Sequence, residues 1–270
     1  MKKPILCIAV YLTTLAFNTS NSQAALIAYE GFNYAYQTGL SGQTGGTNWS
    51  AGWAAGGTWR TNQPSFGEIS TGLTYTGLTT VGNAARNENN GNEAFRSFAA
   101  QAATGTYWMS FLMQKDGTAV NSFGISLFDG GTERNFMGNA GSSLFGVAGA
   151  GAVNSATTVT TTPTLFVARY NMDTGTAHFW LNSDLSLMTP TDASAFNGSG
   201  GTGFTAFTFD RVRLGKFSGD NSGYLDEFRL GTTAEDVGFA PIPEPSVMAL
   251  LGLSALGFAA LVRRRNRKAQ

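Results

Sequence analysis

From about residue 25 to 240 the chain is a succession of short runs rich in aromatic and aliphatic residues, each stopped by glycine, aspartate or asparagine. LIAYEGF opens the series. TYWMSFLMQ (106–114) ends at Lys115-Asp116-Gly117, and SFGISLF (122–128) ends at Asp129-Gly130-Gly131. RNFMG (134–138) and SLFGV (143–147) follow. TLFVARYNM (164–172) stops at Asp173-Thr174-Gly175 and TAHFWLN (176–182) begins at once, which predicts a hairpin. TAFTFDRVRLG (205–215) and YLDEFRLG (224–231) complete the set. No stretch sustains the period of a helix. So many strands without intervening helices predict an all-β fold, an antiparallel β-sandwich or jelly roll. In the 106–114 run, Tyr107, Met109, Phe111 and Met113 alternate with Trp108 and Leu112, so both faces are apolar. Such a strand belongs in the middle of a sheet, covered on both sides. With no internal repeat, residues 25–231 read as one domain and 232–242 as a linker.

The two ends have a different character. Lys2 and Lys3 precede an apolar core from Ile5 to Phe17 and the small-residue triplet Ser22-Gln23-Ala24. That is the layout of a secretory leader, residues 1–24, forming a signal helix cut by signal peptidase after Ala24. Its core of roughly 13 residues is short for a membrane span, which needs about 20. Cys7, the only cysteine, lies inside this leader, so the mature chain has no thiol for a disulfide, a nucleophile or a metal site. At the other end an uncharged run, Ser246 to Val262, precedes Arg263, Arg264, Arg265, Arg267 and Lys268. As a helix, 17 residues would span about 25 Å against a hydrocarbon core of roughly 30 Å. This transmembrane helix, 246–262, would leave its cations cytoplasmic and the body outside.

The formal net charge of zero conceals a segregation. Two of the 17 cations sit in the leader and five in the C-terminal cluster, leaving ten Lys/Arg against 16 Asp/Glu in the body. An acidic body without a basic patch argues against nucleic acid as a partner.

The tail, with Pro243-Glu244-Pro245, the apolar run and the basic cluster in that order, resembles the PEP-CTERM sorting signal of Gram-negative bacteria. The resemblance implies processing of residues 243–268 by an exosortase, a membrane transpeptidase-like enzyme. It implies a protein held briefly in the inner membrane and then delivered to the cell surface or an extracellular polysaccharide matrix. A plain single-pass anchor is the alternative, with the same topology. The stretch Gly223, Leu225, Asp226, Glu227, Phe228, Arg229, Leu230 resembles the closing strand of concanavalin A-like (laminin-G-like) jelly rolls. The paired runs 164–182 and the opening GFNY…GLSGQTGGTNWSAGW are similar to the same family, which implies a structural or carbohydrate-binding body.

Candidate chemistry is sparse. A catalytic triad or a histidine-based metal site would need His178, the only histidine, which shares a strand face with Trp180 and reads as a packing residue. The family also contains jelly-roll glycoside hydrolases, which place two carboxylates across the sugar bond. The Glu-x-Asp-x-x-Glu spacing usual in them is missing here. Adjacent Asp226 and Glu227 point to opposite faces of a strand, and Glu88 and Glu93 fall in the loop-like RNENNGNE. No catalytic residue is assigned and no cofactor is required. Asp220, Asn221 and Asp226 offer the oxygen ligands calcium takes, or else form a turn. Trp49, Trp53 and Trp59, in a glycine-rich stretch, are candidates for stacking on sugar rings, or else cap the core.

Overall fold

The computed structural model describes residues 25–55, 59–61, 71–87, 92–118, 122–149, 153–190, 204–216 and 223–240. The leader, Asp220, Asn221, Glu88, the 243–245 motif, the apolar run and the basic cluster lie outside them. The strands are β1 (Leu26–Glu30), β2 (Ala54–Ala55), β3 (Arg60–Thr61), β4 (Ala85–Asn87), β5 (Asn92–Gln101), β6 (Thr106–Lys115) and β7 (Ser122–Asp129). They continue with β8 (Thr132–Ala140), β9 (Leu144–Gly149), β10 (Val153–Thr158), β11 (Thr164–Asn171), β12 (Thr176–Leu181), β13 (Phe209–Lys216) and β14 (Gly223–Gly231). A single 3-10 turn, Glu235–Val237, follows. Every predicted run is a strand, and β11 and β12 form the predicted antiparallel hairpin.

The strands form two seven-stranded sheets whose pairings are antiparallel throughout. The first runs β12-β11-β6-β14-β4-β3, with β1 also on β14; the second runs β10-β9-β8-β7-β13-β5-β2. Strand β14 shares one edge between two partners. Gly223–Leu225 pair with β4, and Phe228–Gly231 pair with β1. The handover is a bulge at Glu227, whose φ is 51°.

Period-two alternation sends one face of each sheet inward. Met109, Phe111, Phe166, Tyr170, Phe179, Leu225 and Phe228 from the first sheet meet Phe123, Ile125, Met137, Phe145, Val212 and Leu214 from the second in one core. The outer face of the first sheet is apolar too, and it is covered. Trp108, Leu112, Leu165, Val167, Trp180 and Tyr224 pack beneath Leu73, Leu185, Val237 and Phe239. This explains the doubly apolar 106–114 run. Residues 232–240, expected as a linker, instead belong to the body: Ala234, Val237 and Phe239 are buried on the outer face of the first sheet.

Candidate functional site

The outer face of the second sheet differs from that of the first. Since Ala94, Val212, Ile125, Met137 and Val147 point inward, their neighbours Glu93, Arg213, Gly124, Phe136 and Ala148 point out. Register aligns four glycines across four adjacent strands: Gly215 on β13 pairs with Gly124 on β7, Gly124 with Gly138 on β8, and Gly138 with Gly146 on β9. Glycine inside a strand marks a close approach of backbones or a missing side chain. Here both hold. A β-carbon on Gly124 would stand 3.0 Å from the Phe136 ring tip and press on the Met137 carbonyl oxygen, and Gly138 has a φ of 148°. The aligned glycines make a trough across the strands. On the same strands a pocket of about 460 Å³ is lined by Glu93, Ser122, Glu133, Phe136, Ala140, Ala148, Gly149 and Arg213.

Arg213 is the centre of its polar wall. One guanidinium nitrogen donates to Glu93 Oε1 at 2.8 Å; the other donates to Glu133 and, at 2.9 Å, to Ser126 Oγ. Ser126 passes the chain on, donating to Glu133 Oε1 at 2.6 Å. The guanidinium also lies 4.6 Å from the centre of the Phe128 ring. Its burial pulls the Arg213 pKa below the usual value, partly offset by the charges of Glu133 and Glu93. Two sites along β13, Arg211 packs its guanidinium over Phe95 and Phe128 at 4.8 and 5.6 Å. The face therefore offers charged donors and acceptors and aromatic edges, with the Phe136 ring lying over Gly124.

The sequence-predicted residues are placed elsewhere. Trp53 and Trp59 are core residues with 3% and 1% exposure, so neither offers a ring face to a sugar. Trp49 is half-buried against Trp53, Phe98 and Phe228, and its indole N–H donates to the Tyr29 carbonyl at 2.7 Å. The Trp49 and Trp53 rings instead pack on a buried ion pair, while Trp59 stacks on Phe123. Arg96, 4.6 Å from the Trp49 ring, binds Glu30, which also accepts from Tyr34 Oη (2.7 Å), Trp53 Nε1 (3.0 Å) and the Phe32 amide (2.8 Å).

Asp226 is likewise interior. Its oxygens accept the amides of Leu73 (2.7 Å) and Glu227 (2.8 Å), which pins residues 71–84 to β14. Its carboxyl is pushed well above the usual carboxylate range, by burial first and by the Glu227 charge second. The two amide contacts close the 71–84 loop onto β14. Glu227, the bulge residue, accepts from Val81 N (2.6 Å), Tyr29 Oη (3.0 Å) and Arg229 (2.7 Å). Among the described residues no group of three or more His, Cys, Asp or Glu side chains is arranged to hold a metal. His178 stacks on Trp180, ring centres 5.7 Å apart.

Glu93 corrects one expectation: it stands on strand β5, not in a loop. Sequence reasoning missed the Glu93–Arg213–Glu133 cluster because its members are 120 and 80 residues apart. The one available signal was a glycine inside each of four otherwise apolar strand runs.

Known proteins resemble the chain in two respects. Residues 241–265 match the family described as the PEP-CTERM protein-sorting motif. No curated protein matches the chain. Among solved structures, domain 4 of AbnA, a GH43 extracellular arabinanase from Geobacillus stearothermophilus, is similar at 15% identity. It covers 80% of this chain and 97% of its own, with a TM-score of 0.46. The T. cruzi calreticulin globular domain matches at 10% identity, 78% and 90% coverage and a TM-score of 0.42. The botulinum neurotoxin serotype D binding domain matches at 10%, 79% and 50%, and 0.48. The sorting motif marks an exported protein processed at the membrane by an exosortase.

Proposed function

We propose that this protein is an exosortase-sorted component of the cell surface or extracellular matrix, whose concanavalin A-like jelly roll binds an extended polysaccharide. The glycan would lie across the glycine trough of the second sheet. The acid–arginine–acid wall of the pocket carries this reading, because fixed charged donors and acceptors beside the Phe136 ring suit a hydroxyl-rich chain. Glu93, Glu133 and Ser122 would accept from or donate to sugar hydroxyls, and Phe136 and Ala148 would meet the apolar edges of the rings. The membrane-crossing leader and the 246–262 span complete the proposal.

A glycoside hydrolase remains the competing reading, since Glu93 and Glu133 do share a pocket. Both carboxylates are already engaged by Arg213, which supports binding rather than proton transfer to a leaving group.

A polysaccharide array probed with the protein tests binding. Retention should fall about tenfold or more in Glu93→Ala/Glu133→Ala, given the worth of charge-assisted hydrogen bonds. An array with no retained glycan would leave a purely structural role, and shortened oligosaccharides in the wash would establish hydrolysis. Mass spectrometry of the cell-derived protein tests sorting: the C-terminus should lie near Pro243–Pro245, and a chain intact through Gln270 would establish the plain anchor.

A further inference from the structure

The described residues end at a fixed place, the exit toward the tail. The Ala240 amide lies 3.0 Å from both the Leu185 and Leu187 carbonyl oxygens, and Phe239 beside it is buried, 6.3 Å from the Trp108 ring centre. This exit adjoins an unusual surface. Four large hydrophobic residues are exposed among the described residues, and two of them, Leu187 at 37% and Met188 at 50%, are consecutive at the exit. The loop that carries them is held in shape, because Asp184 Oδ1 accepts from the Ser186 amide (2.9 Å) and hydroxyl (2.7 Å). The Tyr75 hydroxyl donates to the Ser183 carbonyl at 3.0 Å.

We infer that Leu187 and Met188 form a bilayer-contact point, which seats the body on the outer surface of the membrane beside its own span. The inference rests on the reading of residues 246–262 as membrane-inserted. The tether supplies the argument. Five residues lie between Ala240 and Ser246, six steps along the chain, and an extended chain covers at most about 3.6 Å per step, so Ala240 lies within about 22 Å of the start of the apolar run. Two apolar side chains bind a membrane weakly when free. Held at this range, they meet it at an effective concentration that lets modest burial count. The acidic body and Asp184 give no attraction to anionic lipid, so contact is by apolar insertion and is not weakened by salt. A seated body also brings the 243–245 motif to the bilayer surface, where a membrane enzyme could reach it.

The test uses the mature chain from Ala25 to Gln270, which carries no cysteine, reconstituted in phosphatidylethanolamine–phosphatidylglycerol vesicles. Met188→Cys carries an environment-sensitive fluorophore, and Gly131→Cys on the β7–β8 turn is the control. The Met188 probe should shift to shorter wavelength and be quenched by spin-labelled lipid, at low and high salt alike. The Gly131 probe should do neither, and Leu187→Asn should weaken the Met188 signal. Carbonate extraction of the same vesicles separates the two readings. Chain retained with an unquenched Met188 probe overturns the contact alone; chain extracted overturns the span and the contact together. Quenching that depends on protein density but not on spin-labelled lipid would indicate a second copy of the chain and also overturn it.

Discussion

Two buried charged groups hold the loops of this molecule, and they make different demands. The Glu30–Arg96 pair is enclosed by tryptophans and fully hydrogen-bonded at its carboxylate. Arg96→Ala would strand that carboxylate, at a cost of about 3–5 kcal/mol in urea unfolding. Replacing both partners with apolar residues of similar volume should recover much of the loss. Asp226 responds to pH. Burial favours its protonated form, so the folded chain keeps a proton that the unfolded chain releases above about pH 4. Its contribution to stability therefore falls as pH rises from there, then levels off above the raised folded value. Asp226→Asn has no proton to lose. The melting temperature of the variant minus that of the native protein should grow with pH across this window, and a constant difference would refute the assignment.

At the level of elements, the β11–β12 hairpin turns at Gly175, whose φ is 61° and whose missing β-carbon would have its nearest neighbour at 3.6 Å. Backbone strain alone thus opposes a side chain there. Gly175→Val should cost about 1–2 kcal/mol and lower Tm by about 2–4 °C for each kcal/mol, with Gly175→Asn losing less. This hairpin was legible because turn and alternation are local. Strand β5 was not, because its inward positions read Ala94, Arg96, Phe98, and an arginine in a core position breaks the apolar pattern. The reason for Arg96 is Glu30, 66 residues away. The glycine trough was hidden for a related cause. Each glycine is visible in its own run, but their alignment belongs to the register of four strands. The tryptophans of the 49–59 stretch allowed two readings, stacking on sugars or capping the core; Trp53 and Trp59 are in the core, and the distant Arg96 beneath Trp49 and Trp53 could not be read from that stretch.

For the whole molecule, the folding unit extends past Gly231 to at least Ala240. Burial of Val237 and Phe239 on Trp108 and Trp180 is worth about 1.5–3 kcal/mol for each side chain. A chain ending at Gly231 should therefore unfold at distinctly lower urea than one ending at Ala240, with bound hydrophobic dye reporting the bared tryptophans. Equal midpoints would return 232–240 to the status of a linker.

The pairing of β1 with β14 has a consequence for delivery. These strands lie about 200 residues apart, with Ala28 opposite Leu230, and Glu30 and Arg96 close the core from opposite sheets. An architecture in which the first strand waits for the last has a high contact order and folds slowly. Until residues beyond 220 are available, β1 has only its bridge to Thr47 and lacks its strand partner, so the first sheet cannot be completed. In an exported chain, the late arrival of β14 would delay closure of the sandwich until nearly the whole body is present.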